Sequence, residues 1–224
     1  MNKSILLTRA KSANLILKEK LAPYGFDLFE CSLIEHKLLQ FDAEILNEYS
    51  NIVITSSFAA NNLPNSDGIH AWVVGENTKS ILENKGFKIK FCAPDAITLK
   101  KELQKNTYIK AIYLSGDNIT LEMPSNVRRV VFYNTFYKEF FSHFEIQRLS
   151  QGVDYILLYS ENCAKTLLQL LLENGLLKYL ENTTIVAISS KVARVVESYF
   201  KNIKDCNGSN QIIEFLEKIN DKSR

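Results

Sequence analysis

The 224-residue chain has no excess of charge of either sign, no long apolar run and no gathered set of metal-ligating residues. It carries 27 Lys and Arg against 25 Asp and Glu, a formal charge of +2. Neutralising phosphates needs a concentrated basic surface, so this balance argues against non-specific nucleic-acid binding as the main activity. No apolar run approaches the roughly 18 residues that span a bilayer. The opening stretch MNKSILLTRAKSANL turns charged and polar too soon for a secretory signal. The expectation is a soluble cytoplasmic protein with no nucleic-acid or membrane partner. Four cysteines, Cys31, Cys92, Cys163 and Cys206, are scattered with no C-x-x-C pair. That spacing argues against a zinc site or a disulfide framework and for reduced, buried thiols. His36, His70 and His143 are equally dispersed, so no metal is expected. Three phosphate or nucleophile signatures are also missing: G-x-G-x-x-G, G-x-x-x-x-G-K-[ST] and G-x-S-x-G. No Asp/Glu pair stands out for acid–base work.

What is present is core material. With 46% hydrophobic and 23% charged residues, the chain has enough apolar side chains to pack a folded interior. Short β-branched runs at 4–8, 27–33, 52–55, 71–74, 110–114, 130–133, 155–159 and 184–188 read as strands. Most are continuous rather than alternating, as expected for parallel sheets covered by helices on both faces. Between the first two, Ala13, Ile16, Leu17 and Leu21 recur at helical spacing, and Pro23 and Gly25 end that helix. Gly86 and Gly175 follow helical stretches, where a left-handed cap is needed. The alternation is α/β throughout.

A weak internal repeat divides the chain. IVITSSFAANNL (52–63) resembles ILLYSENCAKTL (156–167): strand, hydroxyl, small residue, helix. The segment from 72 to 92 aligns without gaps to the segment ending at 206, at an offset of 114. Thr78 then faces Val192, Phe87 faces Lys201 and Cys92 faces Cys206. This is either chance similarity between two βαβ units, which share a hydrophobic pattern, or the mark of two similar α/β domains in one chain, each about the size of a small doubly wound domain.

In open parallel sheets, ligands bind beyond the carboxyl ends of the strands. Those ends carry Thr8-Arg9, Thr55-Ser56-Ser57, Gly75 to Thr78, Ser115-Gly116, Ser160 and Ser189-Ser190. Small hydroxyls and glycines there cap helices and expose N–H groups. They are either helix caps alone or a lining that recognises carboxylates or phosphates through neutral donors. Arg128 and Arg129 are either a solvated edge or contacts for an anionic ligand. Tyr133 and Tyr137 flank the stretch YNTFYKEFF, as packing or hinge residues or as phenol donors.

In order and spacing, these pieces resemble the uroporphyrinogen-III synthase family. ILLTRA opens the match, followed by ECSLIEHKLL, and IVITSSFAANNL resembles the family's TS-x-x-A turn. WVVGENTKSILENKGF resembles its VG-x-x-T-x-x-x-L-x-x-x-G string, and IYLSGDN, VVFYNTF, ILLYSENCAKTL and IVAISSKVA follow in the family's order. Two departures stand out. Asp117-Asn118-Ile119-Thr120 replaces an Arg- or Lys-bearing stretch after Gly116, and Ser189-Ser190-Lys191 replaces a glycine-containing turn.

The resemblance implies two flavodoxin-like, doubly wound parallel-sheet domains joined by a two-stranded linker. Residues 1–35 plus 134–224 would form one domain, and the inserted 36–133 the other. It implies hydroxymethylbilane as the small-molecule substrate, cyclised in a cleft between the domains with loss of water and inversion of the terminal ring. No cofactor would be needed, and the protein would act as a monomer. Tyr133 matches the family's recurrent tyrosine and is the candidate acid. Thr8, Arg9, Thr55, Ser56, Ser57, Gly75, Thr78, Ser115, Gly116, Ser160 and Ser189 are the candidate substrate contacts. A non-catalytic two-domain binder of a small anion or tetrapyrrole would use the same turns.

Overall fold

The apolar runs become parallel strands whose alternate residues enter two different cores. In a computed structural model describing residues 2–66 and 68–221, the chain runs β1 (Ser4–Leu7), α1 (Lys11–Leu21), β2 (Asp27–Glu30), β3 (Ile34–Leu38), β4 (Asn51–Ile54), α2 (Ser57–Asn62), β5 (His70–Val74) and α3 (Glu76–Asn84). There follow β6 (Lys88–Ala93), α4 (Ala96–Lys105), β7 (Ala111–Gly116), β8 (Val127–Tyr137), α5 (His143–Ser150) and β9 (Tyr155–Leu158). The last described elements are α6 (Glu161–Glu173), β10 (Thr184–Ala187), α7 (Ser190–Val196), β11 (Asn202–Asp205) and α8 (Ser209–Asp221). It divides into two units, one holding residues up to 35 and from 136 onward, the other His36–Thr135.

The first unit has the strand order β2-β1-β9-β10-β11, all parallel. In chain order that is 2-1-3-4-5, the flavodoxin-like arrangement. Leu6, Ile156, Leu158 and Ile185 pack on one face against α6 and α7 residues such as Leu167, Leu171 and Val196. Ile5, Leu7, Leu157 and Val186 pack on the other against Leu17, Leu21, Ile212 and Leu216 of α1 and α8. Both faces are dry, which explains the unbroken apolar runs.

The second unit has the order β8-β7-β4-β5-β6, again parallel, with β3 added beside β8. Its own chain order is 5-4-1-2-3, so it matches the first sheet in space with β7 and β8 in the places of β1 and β2. The repeat is carried element by element. Starts of β5, α3 and β6 at 70, 76 and 88 each lie 114 before those of β10, α7 and β11 at 184, 190 and 202. Starts of β4 and α2 at 51 and 57 lie 104 before those of β9 and α6 at 155 and 161. The chain passes between units along β3 and β8. Leu39 N–H donates to Phe132 O and Lys138 N–H to Leu33 O, so paired numbers sum to 171 at both ends, as in an antiparallel ladder.

Three strands were not legible as apolar runs: β3 (IEHKL), β6 (KIKFCA) and β11 (NIKD). Each is at a sheet edge, where exposed lysines blunt further pairing and dilute the pattern. The run expected at 27–33 ends at Glu30 and resumes as β3, and the one at 130–133 is part of the eleven-residue β8. On α1 the buried face is Asn14, Leu17 and Leu21, whereas Ile16, expected inside, is 53% exposed. Gly86 and Gly175 adopt the left-handed conformation expected of caps, with φ of 86° and 62°.

Candidate functional site

In the first unit the strand order reverses between β1 and β9, and the carboxyl ends there bring together Thr8, Arg9, Tyr159 and Ser160. Thr8 is 1% exposed, and its hydroxyl donates to Leu157 O at 2.5 Å. Arg9 lies over the Tyr159 ring, 4.6 Å from its centroid, a cation–π contact. Burial pushes the Tyr159 phenol up to about 12, against the opposing pull of Arg9, so it stays neutral. The loop is clamped by a residue that sequence reasoning passed over. The Asn14 side chain accepts from Arg9 N–H at 3.1 Å and donates to Arg9 O at 2.7 Å and Ser32 Oγ at 3.2 Å. The signal was an asparagine at helical spacing with Leu17 and Leu21. Ser160 caps α6, its Oγ accepting from Cys163 N–H at 3.1 Å. Ser189 stands before α7 at the end of the adjacent β10 and makes no side-chain capping bond.

In the second unit the matching reversal lies between β7 and β4. Thr55 at the end of β4 is 2.9 Å from the Tyr113 hydroxyl, and burial raises the Tyr113 phenol above its usual range although the Thr55 bond opposes this. Ser56 caps α2 by accepting from Phe58 N–H at 3.2 Å, and Ser57 opens that helix. Gly75, at φ 82°, stands before α3, and its N–H donates to Ala93 O. Thr78, one turn on, is buried.

The densest group surrounds Tyr133. Register slips by one residue between Ser115 and Gly116 of β7, a bulge that lets the consecutive Phe132 and Tyr133 both enter the core. Tyr133, 8% exposed, lies so close over Gly116 that a Cβ there would come within 2.9 Å of the ring and 3.1 Å of its hydroxyl. Phe58 meets the ring edge-on at 4.9 Å between centroids, and His36 at 5.1 Å. His36 and Thr135 face one another across the β3–β8 ladder, with Nδ1 3.3 Å from Oγ1. Burial holds the His36 imidazole below its ordinary value, and Asp117 opposes this in part.

Arg129 has a role beside the two readings offered for the arginine pair. Its Nε donates to Ser115 Oγ at 2.9 Å, and Nη2 donates to Gly116 O and Asp117 O at 2.9 and 2.8 Å. It is the brace of the loop after β7. The Asp117 carboxylate accepts from Thr135 N–H at 3.0 Å, so this departure from the family pattern fastens the same loop to β8.

A carboxylate is acceptor-only and needs donors. The Thr8 and Ser115 hydroxyls already donate to Leu157 O and Gly116 O; in this structure both hold loops rather than face a ligand as donors. Ser56 and Ser160 accept their capping bonds and so keep a hydrogen to give. Tyr133, Gly116 and Ser115 come together, and Phe58, whose N–H donates to Ser56 Oγ and which follows Ser57, packs on the Tyr133 ring. Thr8, Arg9 and Ser160 form the other group. Gly75 with Thr78, and Ser189, stand one strand further out in their respective sheets.

The family model for uroporphyrinogen-III synthase HemD matches residues 16–203. A protein of Rickettsia prowazekii (strain Madrid E) carrying no functional name is 34% identical over 265 aligned positions, covering 96% of this chain and 97% of that protein. The uroporphyrinogen-III synthetase from Helicobacter pylori 26695 superposes with a TM-score of 0.61 at 16% identity, over 98% of this chain and all of that one. A mutant uroporphyrinogen III synthase from the extremely thermophilic bacterium Thermus thermophilus gives 0.56 at 11% identity, over the whole of both chains. Among the described residues no helix is long and apolar enough to cross a membrane.

Proposed function

We propose that this chain, which belongs to the uroporphyrinogen-III synthase family, converts hydroxymethylbilane to uroporphyrinogen III with loss of water and inversion of the terminal ring. The observation that carries the reading is the family match, which runs through both units and spans the Tyr133 group. The substrate bears eight carboxylates, and its unassisted closure proceeds without inversion. The catalyst must therefore select a folded conformation more than it must accelerate bond breaking.

In this reading the Tyr133 phenol gives its proton to the departing hydroxyl, which leaves as water, and the bilane becomes an azafulvene. The substituted carbon of the terminal ring attacks that electrophile to form a spiro intermediate. Fragmentation and reclosure then invert the ring, and the proton lost on rearomatisation restores the phenol. Ser56, Ser57, Ser160 and Ser189, with the backbone near Gly75, supply neutral donors for carboxylates. Such donors hold anions without concentrating positive charge beside the cationic azafulvene. Arg9 supplies one fixed cation, and Thr8, Thr55, Thr78, Ser115 and Gly116 shape the turns. No metal or organic cofactor enters these steps.

Incubating the purified protein with hydroxymethylbilane and resolving the product isomers tests the proposal. Predominantly type III product supports it. Product that is all type I, the uncatalysed outcome, with the bilane nonetheless bound, would identify a non-catalytic tetrapyrrole binder instead.

A further inference from the structure

His36 was passed over in the sequence because the three histidines are far apart along the chain. Folding puts it beside Tyr133. The β3–β8 register pairs His36 with Thr135, and these are the first and last residues of the second unit. Between the bonded pairs at 33–138 and 39–132, the 36–135 pair is a non-hydrogen-bonded one, where opposed side chains approach most closely. Tyr133 is two residues from Thr135 on β8, the diagonal neighbour within reach of a ring. The imidazole stands at 77° to the phenol ring and also meets Phe58 at 4.8 Å between centroids. Gly116 closes the opposite approach, since even a Cβ there would strike the phenol. Asp117, the charged group facing His36, is itself tied to Thr135 N–H.

We propose that His36 is a positioning residue for Tyr133: its ring, anchored through Nδ1 to Thr135, wedges against the phenol and fixes the direction in which the hydroxyl points. The role deepens the reading of Tyr133 as the acid and rests on it for its catalytic consequence. An imidazole suits the task because it packs as an aromatic edge while keeping a polar tether, whereas a smaller side chain would remove one wall of the phenol's surroundings.

The decisive variants are His36→Ala, His36→Phe and His36→Ala combined with Tyr133→Phe. His36→Ala should lower kcat about tenfold, near the lower bound expected for losing the acid itself, with KM within about twofold. His36→Phe should restore at least half of that loss by replacing the wedge. The double variant should be no slower than Tyr133→Phe, because His36 acts only through the phenol. Independent, multiplying losses in the double variant, or a His36→Ala enzyme at wild-type kcat, would overturn the proposal. A second readout needs no turnover. With 13C-labelled tyrosine, the Tyr133 Cζ resonance, assigned by Tyr133→Phe, should shift in His36→Ala and return toward its wild-type position in His36→Phe. An unmoved resonance overturns the positioning role. A wild-type protein that yields no type III product would refute the proposed activity, and the resonance experiment would still decide whether His36 sets the phenol.

Discussion

Gly116→Ala tests the packing on which the candidate acid depends. Gly116 is not among the glycines with positive φ, so alanine meets no backbone objection there. The added methyl would lie 2.9 Å from Cε2 and Cζ of Tyr133, against an optimal carbon–carbon separation of about 3.5–4.0 Å. The ring cannot simply back away, because Phe58 and His36 already meet it at 4.9 and 5.1 Å between centroids. Overpacking of this kind costs about 1–3 kcal/mol, offset by about 0.4–1 kcal/mol from the stiffer unfolded chain. The net should be a loss of about 1–2 kcal/mol, or about 2–8 °C in melting temperature for a chain of this size. The single tryptophan, Trp72, is buried in β5 of the same unit, with Nε1 donating to Asn51 Oδ1 at 3.1 Å. Urea unfolding followed by its fluorescence therefore reports the affected unit alone. Turnover should fall along with stability, since the displaced ring carries the phenol. In a Tyr133→Ala background the same glycine substitution should cost nothing or even stabilise. A Gly116→Ala protein as stable as wild type, or an equal penalty in both backgrounds, would refute the steric reasoning.

Tyr133→Phe should slow turnover by about tenfold to a hundredfold, the low end for a general acid because this leaving group departs readily, while product stays mainly type III; Ser160→Ala should do less. Measured rate and isomer ratio, after confirming an unchanged melting temperature, decide this, and a folded variant at wild-type rate would return Tyr133 to packing. For His36, the unfolded chain binds a proton near its ordinary pKa of about 6.5 while burial keeps the folded ring neutral to lower pH. Its contribution to stability is thus whole above that value and drains away as pH falls below it toward the lower folded pKa. Trp72-monitored unfolding at pH 7.5 and 5.5 should show this loss, smaller in His36→Phe. Glu145 is 7% exposed, completes the capping box of α5 with Ser142 and pairs with Lys138 at 3.1 Å. Burial raises its pKa, but the Ser142, Cys31 and Lys138 bonds outweigh that and lower it. Glu145→Ala should cost about 2 kcal/mol for a cap and a charge-assisted bond, read by circular dichroism during denaturation. Dialysis against a chelator should leave type III production unchanged; loss restored by added metal would contradict the mechanism.

What could be read in advance was whatever a central strand writes into its sequence. Strands β1, β4, β5, β7, β9 and β10 are apolar on both faces and were visible as runs. Three of the four edges were not: β6 and β11 carry lysines where a central strand carries valine, and β3 is mostly polar (IEHKL); only the edge strand β2 was seen as part of a run. Cap positions were legible because Ser56 and Ser160 precede amphipathic stretches, and both do cap. The partner of a side chain was not. Nothing local says that Arg129 turns back to Ser115 and Asp117, or that Thr55 meets Tyr113. Such pairs depend on strand order. Ile16 was misplaced for a related reason: Asn14 occupies the inward position because the loop after β1 needs its amide.

The repeat itself shows where to look for what distinguishes the units. Five strands correspond, at constant offsets over the elements that follow β4 and β9, although the α1 crossover between β1 and β2 has no helical counterpart between β7 and β8. Strand β3 has no counterpart in the first unit, whose sheet ends at β2. That added strand is the one that brings His36 to Thr135 and Tyr133. The bulge that turns Tyr133 into the core lies in the β7–β8 pair, whereas the matching β1–β2 pair runs in unbroken register. These two departures meet at one phenol; a second register slip, between Ala71 and Trp72 in the β5–β6 pair, lies elsewhere in the sheet. A fold that needed only to stack two similar sheets would have no reason to place a tethered imidazole, a braced loop and a glycine without room for a methyl around a single tyrosine.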